Sequence, residues 1–229
     1  MKTVAIIPAG GKGLRTGITK KGNAVPKQYL KINGKELIVY TLKTFQNNRN
    51  INRIIVAAEP EYFKLLVKLV RKYKLTKLKL IVEGGATRQE SVYNAILSSQ
   101  AAPDDLIVVH DAARALLPEE VLTKAIITAK KKGNALVCIK AKDTLIKGDS
   151  SVKEYLNRDE VYYVQTPQIF KYKDLLKAMN KSNRENFTGT DESMLVKRTG
   201  RKVNIVEGSV YNFKVTTKED IDLFKKLIQ

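Results

Sequence analysis

The chain has 229 residues, 43% of them hydrophobic, which is enough for one domain with a sizeable core and excludes a disordered chain. Its 42 Lys and Arg residues against 23 Asp and Glu give a net charge of +19, which indicates an anionic partner such as nucleic acid, a membrane surface or a phosphorylated substrate. The single cysteine, Cys138, and the single histidine, His110, exclude an intramolecular disulfide and a multi-histidine zinc site. Because Cys138 has apolar neighbours, we expect a buried structural thiol.

Short β-branched segments alternate with longer amphipathic segments along the chain. This alternation predicts an α/β fold with a Rossmann-like, mostly parallel twisted sheet and helices on both faces. The predicted strands are Thr3–Ile7, Arg53–Ala58, Leu78–Val82, Leu106–His110, Ala135–Ile139, Val161–Gln165 and Val203–Val206. The predicted helices are Leu37–Phe45, Pro60–Tyr73, Arg88–Ser99, Pro118–Lys132, Lys171–Met179, Glu192–Thr199 and Thr217–Ile228. No linker or repeat divides the sequence, so we expect a single domain over residues 1–229.

Residues 140–160 interrupt the alternation. Two short strand-like segments flank the turn sequence Gly148-Asp149-Ser150-Ser151, which predicts a β-hairpin arm protruding from the sheet. An arm of this kind can cover a neighbouring active site or contact a second subunit, and a plain surface hairpin fits the pattern equally well.

The first predicted strand runs into a glycine-rich segment, Pro8-Ala9-Gly10-Gly11-Lys12-Gly13-Leu14-Arg15. Backbone N–H groups in such a turn bind phosphate, and Lys12 or Arg15 adds positive charge. The spacing matches neither the dinucleotide fingerprint nor the P-loop, and an ordinary strand-to-helix turn is the alternative. Lys27, in the segment Pro26-Lys27-Gln28-Tyr29-Leu30, supplies a further cation for a triphosphate.

Asp111 directly follows an apolar predicted strand. A carboxylate at the carboxyl end of a parallel strand is placed to bind Mg²⁺, or another divalent cation, against a phosphate. The alternative is a loop-stabilising ion pair with Arg114. Side chains alternate along a strand, so we expect His110 to point away from Asp111 and to have a structural role.

Six further segments complete a resemblance to the 2-C-methyl-D-erythritol 4-phosphate cytidylyltransferase family of nucleotidyltransferases. They follow the family's order over most of the chain: Gly84-Gly85-Ala86-Thr87-Arg88-Gln89-Glu90-Ser91-Val92, Val109-His110-Asp111-Ala112-Ala113-Arg114, Asp143-Thr144, Thr166-Pro167-Gln168-Ile169-Phe170, Thr190-Asp191-Glu192 and Asn212-Phe213-Lys214-Val215-Thr216-Thr217. The resemblance implies transfer of a cytidylyl group from CTP to 2-C-methyl-D-erythritol 4-phosphate, in non-mevalonate isoprenoid synthesis.

The resemblance also implies roles for individual residues. The implied catalytic residues are Arg15, Lys27 and Lys214, the last on a short strand. The implied nucleotide-binding residues are Pro8, Ala9, Gly10, Gly11, Lys12, Gly13, Gly85, Arg88, Ser91, Asp111 and Ala112, with Asp111 as the metal ligand. The implied contacts to the polyol phosphate are Thr144, Arg158, Thr190 and Asp191. Gly85 would let a pyrimidine ring lie close to the backbone. Helix-start chemistry is the alternative for Arg88, Ser91, Thr190 and Asp191.

The family resemblance further implies a homodimer through the 140–160 arm, in which Thr144 and Arg158 complete the neighbouring chain's site. We expect a cytoplasmic protein without membrane partners, because the N-terminal apolar stretch is too short for a signal peptide. Nucleic acid is not the expected partner, since the lysines are dispersed. The alternatives are a ribitol-5-phosphate cytidylyltransferase and, more distantly, a basic nucleic-acid-binding protein with the same fold.

The sequence departs from the family pattern between Arg15 and Lys27. This segment is longer than the family's bacterial pattern and has Thr16 in place of a usual methionine, while Ala115 replaces a usual proline. From its length and glycine content we expect residues 16–25 to act as a lid that becomes ordered when CTP binds.

Overall fold

The computed structural model describes residues 1–11, 19–20 and 23–229, and for residues 19–20 and 23–24 it describes the backbone alone. In this part of the chain one sheet has seven strands: β1 (Thr3–Pro8), β6 (Arg53–Ala58), β7 (Leu78–Glu83), β8 (Leu106–Val109), β9 (Asn134–Lys140), β12 (Tyr162–Lys171) and β13 (Ile205–Glu207). Their order across the sheet is β13-β9-β12-β8-β1-β6-β7. Short strand pairs lie outside this sheet: β2 (Thr19–Lys20) with β3 (Asn23–Ala24), β4 (Lys31–Ile32) with β5 (Lys35–Glu36), and β10 (Leu145–Gly148) with β11 (Val152–Leu156).

Helices cover both faces of the sheet, as predicted. They are α1 (Leu37–Asn47), α2 (Phe63–Tyr73), α3 (Arg88–Leu97), α4 (Glu119–Lys132), α5 (Tyr172–Arg184), α6 (Glu192–Lys197) and α7 (Lys218–Leu227). Successive side chains of β1 point to opposite faces of the sheet. Ala5 and Ile7 pack on one face, in a core cluster with α1, α2 and α4. Val4 and Ile6 pack in a second cluster with α3, α5 and α6. Burial on both faces explains the continuous apolar run of this strand.

The sheet is mostly parallel, and β12 is the exception. β1 pairs in parallel with β6 and β8, whereas β12 pairs antiparallel with both β8 and β9. The predicted strand Val161–Gln165 was too short, because β12 continues through Pro167 to Lys171. The pairing with β9 shifts register between Val164 and Gln168, so the proline, which has no N–H to donate, lies where the ladder is interrupted.

The predicted hairpin arm is confirmed in the 140–160 segment. β10 and β11 pair antiparallel with each other and with no other strand in the described residues. The side chains of residues 151–160 are exposed, so the arm projects from the sheet into solvent. The expected burial of Cys138, on β9, is also confirmed.

A third apolar cluster lies at the edge of the fold and joins segments that are distant in sequence. It contains Leu30, Leu37, Ala113, Val215 and Phe224, with further members from the same segments. This cluster fixes α7 and the segments around residues 30, 113 and 215 to one another. In the residues described, no helix has the length and apolar character needed to span a bilayer.

Candidate active site

A cavity of about 980 Å³ opens at the carboxyl ends of β1, β7 and β8. Ligands of parallel α/β sheets bind at this edge, and the volume suits a ligand of nucleotide size. Of the residues predicted to form the site, the cavity is lined by Pro8, Ala9, Gly10, Gly11, Lys27, Gly85, Arg88, Ser91, Asp111, Ala112 and Lys214. Three predicted residues, Lys12, Gly13 and Arg15, lie outside the described part of the chain, as do residues 16–18, 21 and 22 of the proposed 16–25 lid.

The glycine-rich segment after β1 is held from two sides. The Ala9 N–H donates to the Ala57 carbonyl on β6 at 2.7 Å, which extends the strand pairing by one residue. The Ala9 carbonyl accepts hydrogen bonds from Gln28 Nε2 at 2.5 Å and from the Tyr29 hydroxyl at 3.3 Å. The backbone at the entrance of the loop is therefore anchored by the sheet and by the turn Lys27–Tyr29.

A second glycine segment follows β7 and packs closely on α3. A Cβ atom at Gly85 would lie 2.2 Å from the Glu90 Cβ, so no side chain fits there. The Gly85 N–H donates to Ser91 Oγ at 3.0 Å, and the Ser91 hydroxyl donates to the Thr87 carbonyl at 2.9 Å. The close packing alone requires glycine at this position, and Ser91 connects the first turn of α3 to the segment before it.

Asp111 lies at the centre of the charged wall of the cavity. Its Oδ1 accepts from Arg88 Nε at 2.9 Å, and its Oδ2 lies 2.8 Å from Lys214 Nζ. Arg114 Nε lies farther away, at 4.0 Å, so the alternative pair with Arg114 is the weakest of the three contacts. Burial alone would raise the pKa of Asp111, but Arg88, Lys214 and Arg114 outweigh burial and hold that pKa well below its usual range. The carboxylate is ionised at neutral pH.

Glu192 is a member of this charge network that the sequence did not single out. It is the first residue of α6 and is 1% exposed, and both of its carboxylate oxygens accept from Arg88, at 2.7 and 3.1 Å. Burial raises the pKa of Glu192 above its ordinary value, and the Arg88 guanidinium offsets only part of that rise. Arg88 therefore bridges Asp111 and Glu192, which are far apart in sequence. The only local feature that could have pointed to Glu192 is its position at the acidic start of a predicted helix.

Thr190 and Asp191 precede α6, and neither lines the cavity. Asp191 caps the helix, because its Oδ1 accepts from the Met194 N–H at 2.8 Å. Its Oδ2 accepts from Gln168 Nε2 at 3.0 Å, while Thr190 is exposed. The helix-cap alternative for Asp191 is thus realised in the structure.

His110 holds the loop behind Asp111. Its ring is fully buried, with Nε2 3.0 Å from the Arg114 carbonyl and Nδ1 3.1 Å from Thr166 Oγ1. A carbonyl only accepts, so Nε2 carries the proton and Nδ1 accepts from the Thr166 hydroxyl. The oxygen of that hydroxyl in turn accepts from the Asp111 N–H. Burial lowers the pKa of His110 to about 4, so the ring is neutral at pH 7. These contacts give His110 a structural function.

The two described lysines of the predicted catalytic set both line the cavity. Lys214 lies in an irregular segment, and the predicted short strand is wrong. Individual contacts replace a strand ladder here, since the Val215 N–H donates to the Ala113 carbonyl at 2.9 Å and Asn212 Nδ2 donates to the Thr166 carbonyl at 2.7 Å. Lys27 Nζ lies 3.5 Å from Thr216 Oγ1, which places both lysines at the same end of the cavity.

Thr144 and Arg158 lie in the arm, outside the lining of this chain's cavity. Both side chains are exposed, and Arg158 Nη1 donates to the Lys142 carbonyl at 3.4 Å. The structure of one chain therefore does not bring these two predicted residues together with Asp111 and the lysines.

Comparison with known proteins shows similarity to one family over nearly the whole chain. A family model described as IspD, 2-C-methyl-D-erythritol 4-phosphate cytidylyltransferase, matches residues 3–229. A protein of Bacillus mycoides with that name is 39% identical over 217 residues, which cover 94% of this chain and 93% of the relative. One from Clostridium acetobutylicum is 36% identical over 228 residues, which cover 98% and 96%.

The fold is similar to solved structures as well. The crystal structure of 4-diphosphocytidyl-2C-methyl-D-erythritol synthase from Anaerococcus prevotii superimposes with a TM-score of 0.84 at 29% identity, covering 100% of this chain and 96% of that chain. The family model, the relatives and the shared architecture all extend over nearly the whole sequence. The chain belongs to the 2-C-methyl-D-erythritol 4-phosphate cytidylyltransferase family.

Proposed function

We propose that this chain transfers the cytidylyl group of CTP to 2-C-methyl-D-erythritol 4-phosphate and releases pyrophosphate. The observation that carries the proposal is the convergence of the glycine segment, Lys27, Lys214 and ionised Asp111 on one cavity at the carboxyl edge of the sheet. Family membership supplies the substrates. We further propose that residues 1–229 act as one catalytic domain.

In the proposed reaction, an oxygen of the polyol phosphate attacks the α-phosphorus of CTP. A new P–O bond forms there as the bond to the β-phosphate bridging oxygen breaks, and the electron pair leaves with pyrophosphate. The protein supplies no nucleophile, so catalysis consists of positioning and charge stabilisation. Lys27 and Lys214 line the cavity where this negative charge accumulates, and Arg15 is proposed to add a third cation.

Asp111 is the proposed ligand for Mg²⁺ or another divalent cation. No cluster of three or more potential ligands occurs among the residues described, but Mg²⁺ is commonly held by one or two carboxylates together with substrate phosphates. A single ionised carboxylate at the cavity fits this pattern. The cation would supply neutralisation of phosphate charge. Lys214, whose side chain is 36% exposed, has room to exchange its contact with Asp111 for a phosphate.

We also propose roles for the other residues predicted to contact the nucleotide and the polyol phosphate. Gly85, Arg88 and Ser91 are proposed to border the cytosine and ribose, supported by their position along the same cavity. Thr144, Arg158, Thr190 and Asp191 are proposed to contact the polyol phosphate. Because Thr144 and Arg158 are not among the residues that line this chain's cavity, we propose that they act at the cavity of a second chain.

We therefore propose a homodimer in which the 140–160 arm reaches the partner's cavity. Large apolar side chains on the arm support this arrangement, since Ile146, Val152 and Tyr155 are 51%, 52% and 71% exposed. Co-expression of Asp111→Asn and Arg158→Ala chains, each inactive alone, should restore roughly a quarter of wild-type activity, because random pairing makes half of the dimers mixed and each mixed dimer has one intact site. Activity no higher than that of the separate variants would exclude a shared site.

The substrates are tested by pyrophosphate release from CTP, with methylerythritol phosphate and ribitol 5-phosphate supplied side by side. We expect turnover with methylerythritol phosphate and CTP, and little with ATP, GTP or UTP. Faster turnover with ribitol 5-phosphate would favour the alternative cytidylyltransferase. Salt-sensitive nucleic-acid binding without turnover would favour the nucleic-acid-binding alternative.

A cytoplasmic location is also proposed. It is supported by membership of an enzyme family named for a small phosphorylated substrate. Fractionation of cells that express the chain would test it, and recovery with the membrane or extracellular fraction would contradict it.

A further inference from the structure

Gln28 connects two parts of the candidate site that come from different elements. Its side chain lies between the glycine segment after β1 and the short turn that carries Lys27, and the residue is 3% exposed. Its Nε2 donates to the Ala9 carbonyl at 2.5 Å and to the Gly11 carbonyl at 3.0 Å. One amide group thus contacts the backbone on both sides of Gly10.

The chemistry of these two hydrogen bonds fixes the orientation of the amide. Both partners are carbonyl oxygens, which only accept, so the nitrogen must face them and each of its two hydrogens is used. The Tyr29 hydroxyl adds a further donor to the Ala9 carbonyl, and its ring stacks on Tyr62 at 3.9 Å between centroids. The turn therefore presents three donor hydrogens to two carbonyls of the loop, those of Ala9 and Gly11.

The direction of the carbonyls determines the direction of the amides. In a trans peptide unit the C=O and N–H bonds point in opposite directions, so an Ala9 carbonyl directed at Gln28 turns the Gly10 N–H away from it. Gly10 and Gly11 both line the cavity. Successive N–H groups presented by a glycine-rich turn make an anion-binding concavity, provided that the turn keeps its conformation.

We propose that Gln28 is a positioning residue for the triphosphate of the nucleotide. It holds the backbone of residues 9–11 in the conformation that presents amides to phosphate, and it fixes the distance between this loop and Lys27, its neighbour on the same turn. The inference rests on the proposed function, since it assigns the glycine segment to phosphate. A residue that only filled the core would affect all ligands of the cavity equally.

The test compares ligands that share parts of CTP. Binding of CTP, inorganic pyrophosphate and cytidine is measured by calorimetry for the wild type, Gln28→Glu and Gln28→Met. The glutamate keeps the shape but has no hydrogens to donate when ionised, and the methionine keeps the approximate length without charge or donors. Loss of two hydrogen bonds should weaken CTP and pyrophosphate binding roughly tenfold or more, with cytidine binding unchanged.

The matched control is Gln46→Glu. The Gln46 side chain also joins two segments, because its Nε2 donates to Thr76 Oγ1 at 3.0 Å and its Oε1 accepts from the Lys77 N–H at 2.8 Å. Gln46 is not among the residues that line the cavity. This variant should bind all three ligands as the wild type does.

Each outcome separates the possibilities. Unchanged pyrophosphate binding in both Gln28 variants, or an equal loss for pyrophosphate and cytidine, would overturn the positioning role. A wild type that binds neither CTP nor pyrophosphate would refute the proposed function instead. If neither variant folds, NMR of the wild type decides, because the Gln28 side-chain amide signals should shift with pyrophosphate and not with cytidine, and unchanged signals would overturn the proposal.

Discussion

Replacing Lys214 with alanine should lower kcat about a hundredfold at saturating CTP and polyol phosphate, the effect typical of losing one group that stabilises transition-state charge. Lys214 Nζ lies 2.8 Å from Asp111 Oδ2, so the substitution removes a cation from the cavity and leaves that carboxylate oxygen only the more distant Arg114 Nε, at 4.0 Å. Both changes make the site more negative just where the attacking phosphate and the leaving pyrophosphate carry negative charge. Steady-state measurement of pyrophosphate release gives kcat and both KM values.

Lys225→Ala is the matched control for this prediction. Lys225 forms a pair of the same type, with Asp222 at 2.9 Å, but both side chains are about half exposed on α7 and neither lines the cavity. Exposed pairs of this kind contribute little, so the variant should keep wild-type kinetics. Near-normal kcat in Lys214→Ala would remove this residue from the catalytic set, and an increase in KM alone would limit it to substrate binding.

Replacing Glu192 with glutamine should lower the free energy of unfolding by about 3 kcal/mol, the lower end of the range for breaking a buried ion pair from one side. The Arg88 guanidinium holds Glu192 through two hydrogen bonds, and the Glu192 side chain is only 2% exposed. The lower end applies because Arg88 is itself 30% exposed and keeps its contact with Asp111. Urea unfolding followed by circular dichroism measures the difference.

Glu185→Gln provides the comparison for Glu192. Glu185 pairs with Arg198 at 2.8 Å, but both side chains are about 40% exposed, so this substitution should leave the urea unfolding curve nearly unchanged. If the two variants lose the same free energy, Glu192 is not a buried structural ion pair. Reduced activity in folded Glu192→Gln would in addition show that Arg88 must be held for Asp111 to be placed correctly.

The sequence predicted the features that depend on local pattern. The strands at the centre of the sheet are buried on both faces, and that burial produces the apolar runs from which β1 and β8 were predicted. Asp111 was identified for a related reason, because a polar residue directly after such a run must lie at the carboxyl edge of the sheet. The family resemblance added Lys214, which composition alone would have left among many exposed lysines.

The features that escaped prediction depend on contacts between distant residues. Glu192 contacts Arg88 across 104 positions, and a short acidic helix start carries no sign of such a partner. The antiparallel course of β12 and its passage through Pro167 follow from pairing with two neighbouring strands at different registers. Neither periodicity nor residue preference encodes a register.

The apolar cluster around Phe224 has a consequence for how the charged groups of the site keep their spacing. Leu30, Ala113 and Val215 lie within three residues of Lys27, Asp111 and Lys214, and all three pack in the cluster that α7 completes. This cluster joins the three segments that carry the charged groups, and Tyr29 and Ala112 anchor two of those segments in the first core cluster as well. We therefore expect a substitution that loosens α7 to change the spacing of the charged groups before it unfolds the central sheet, so that activity falls more than the free energy of unfolding.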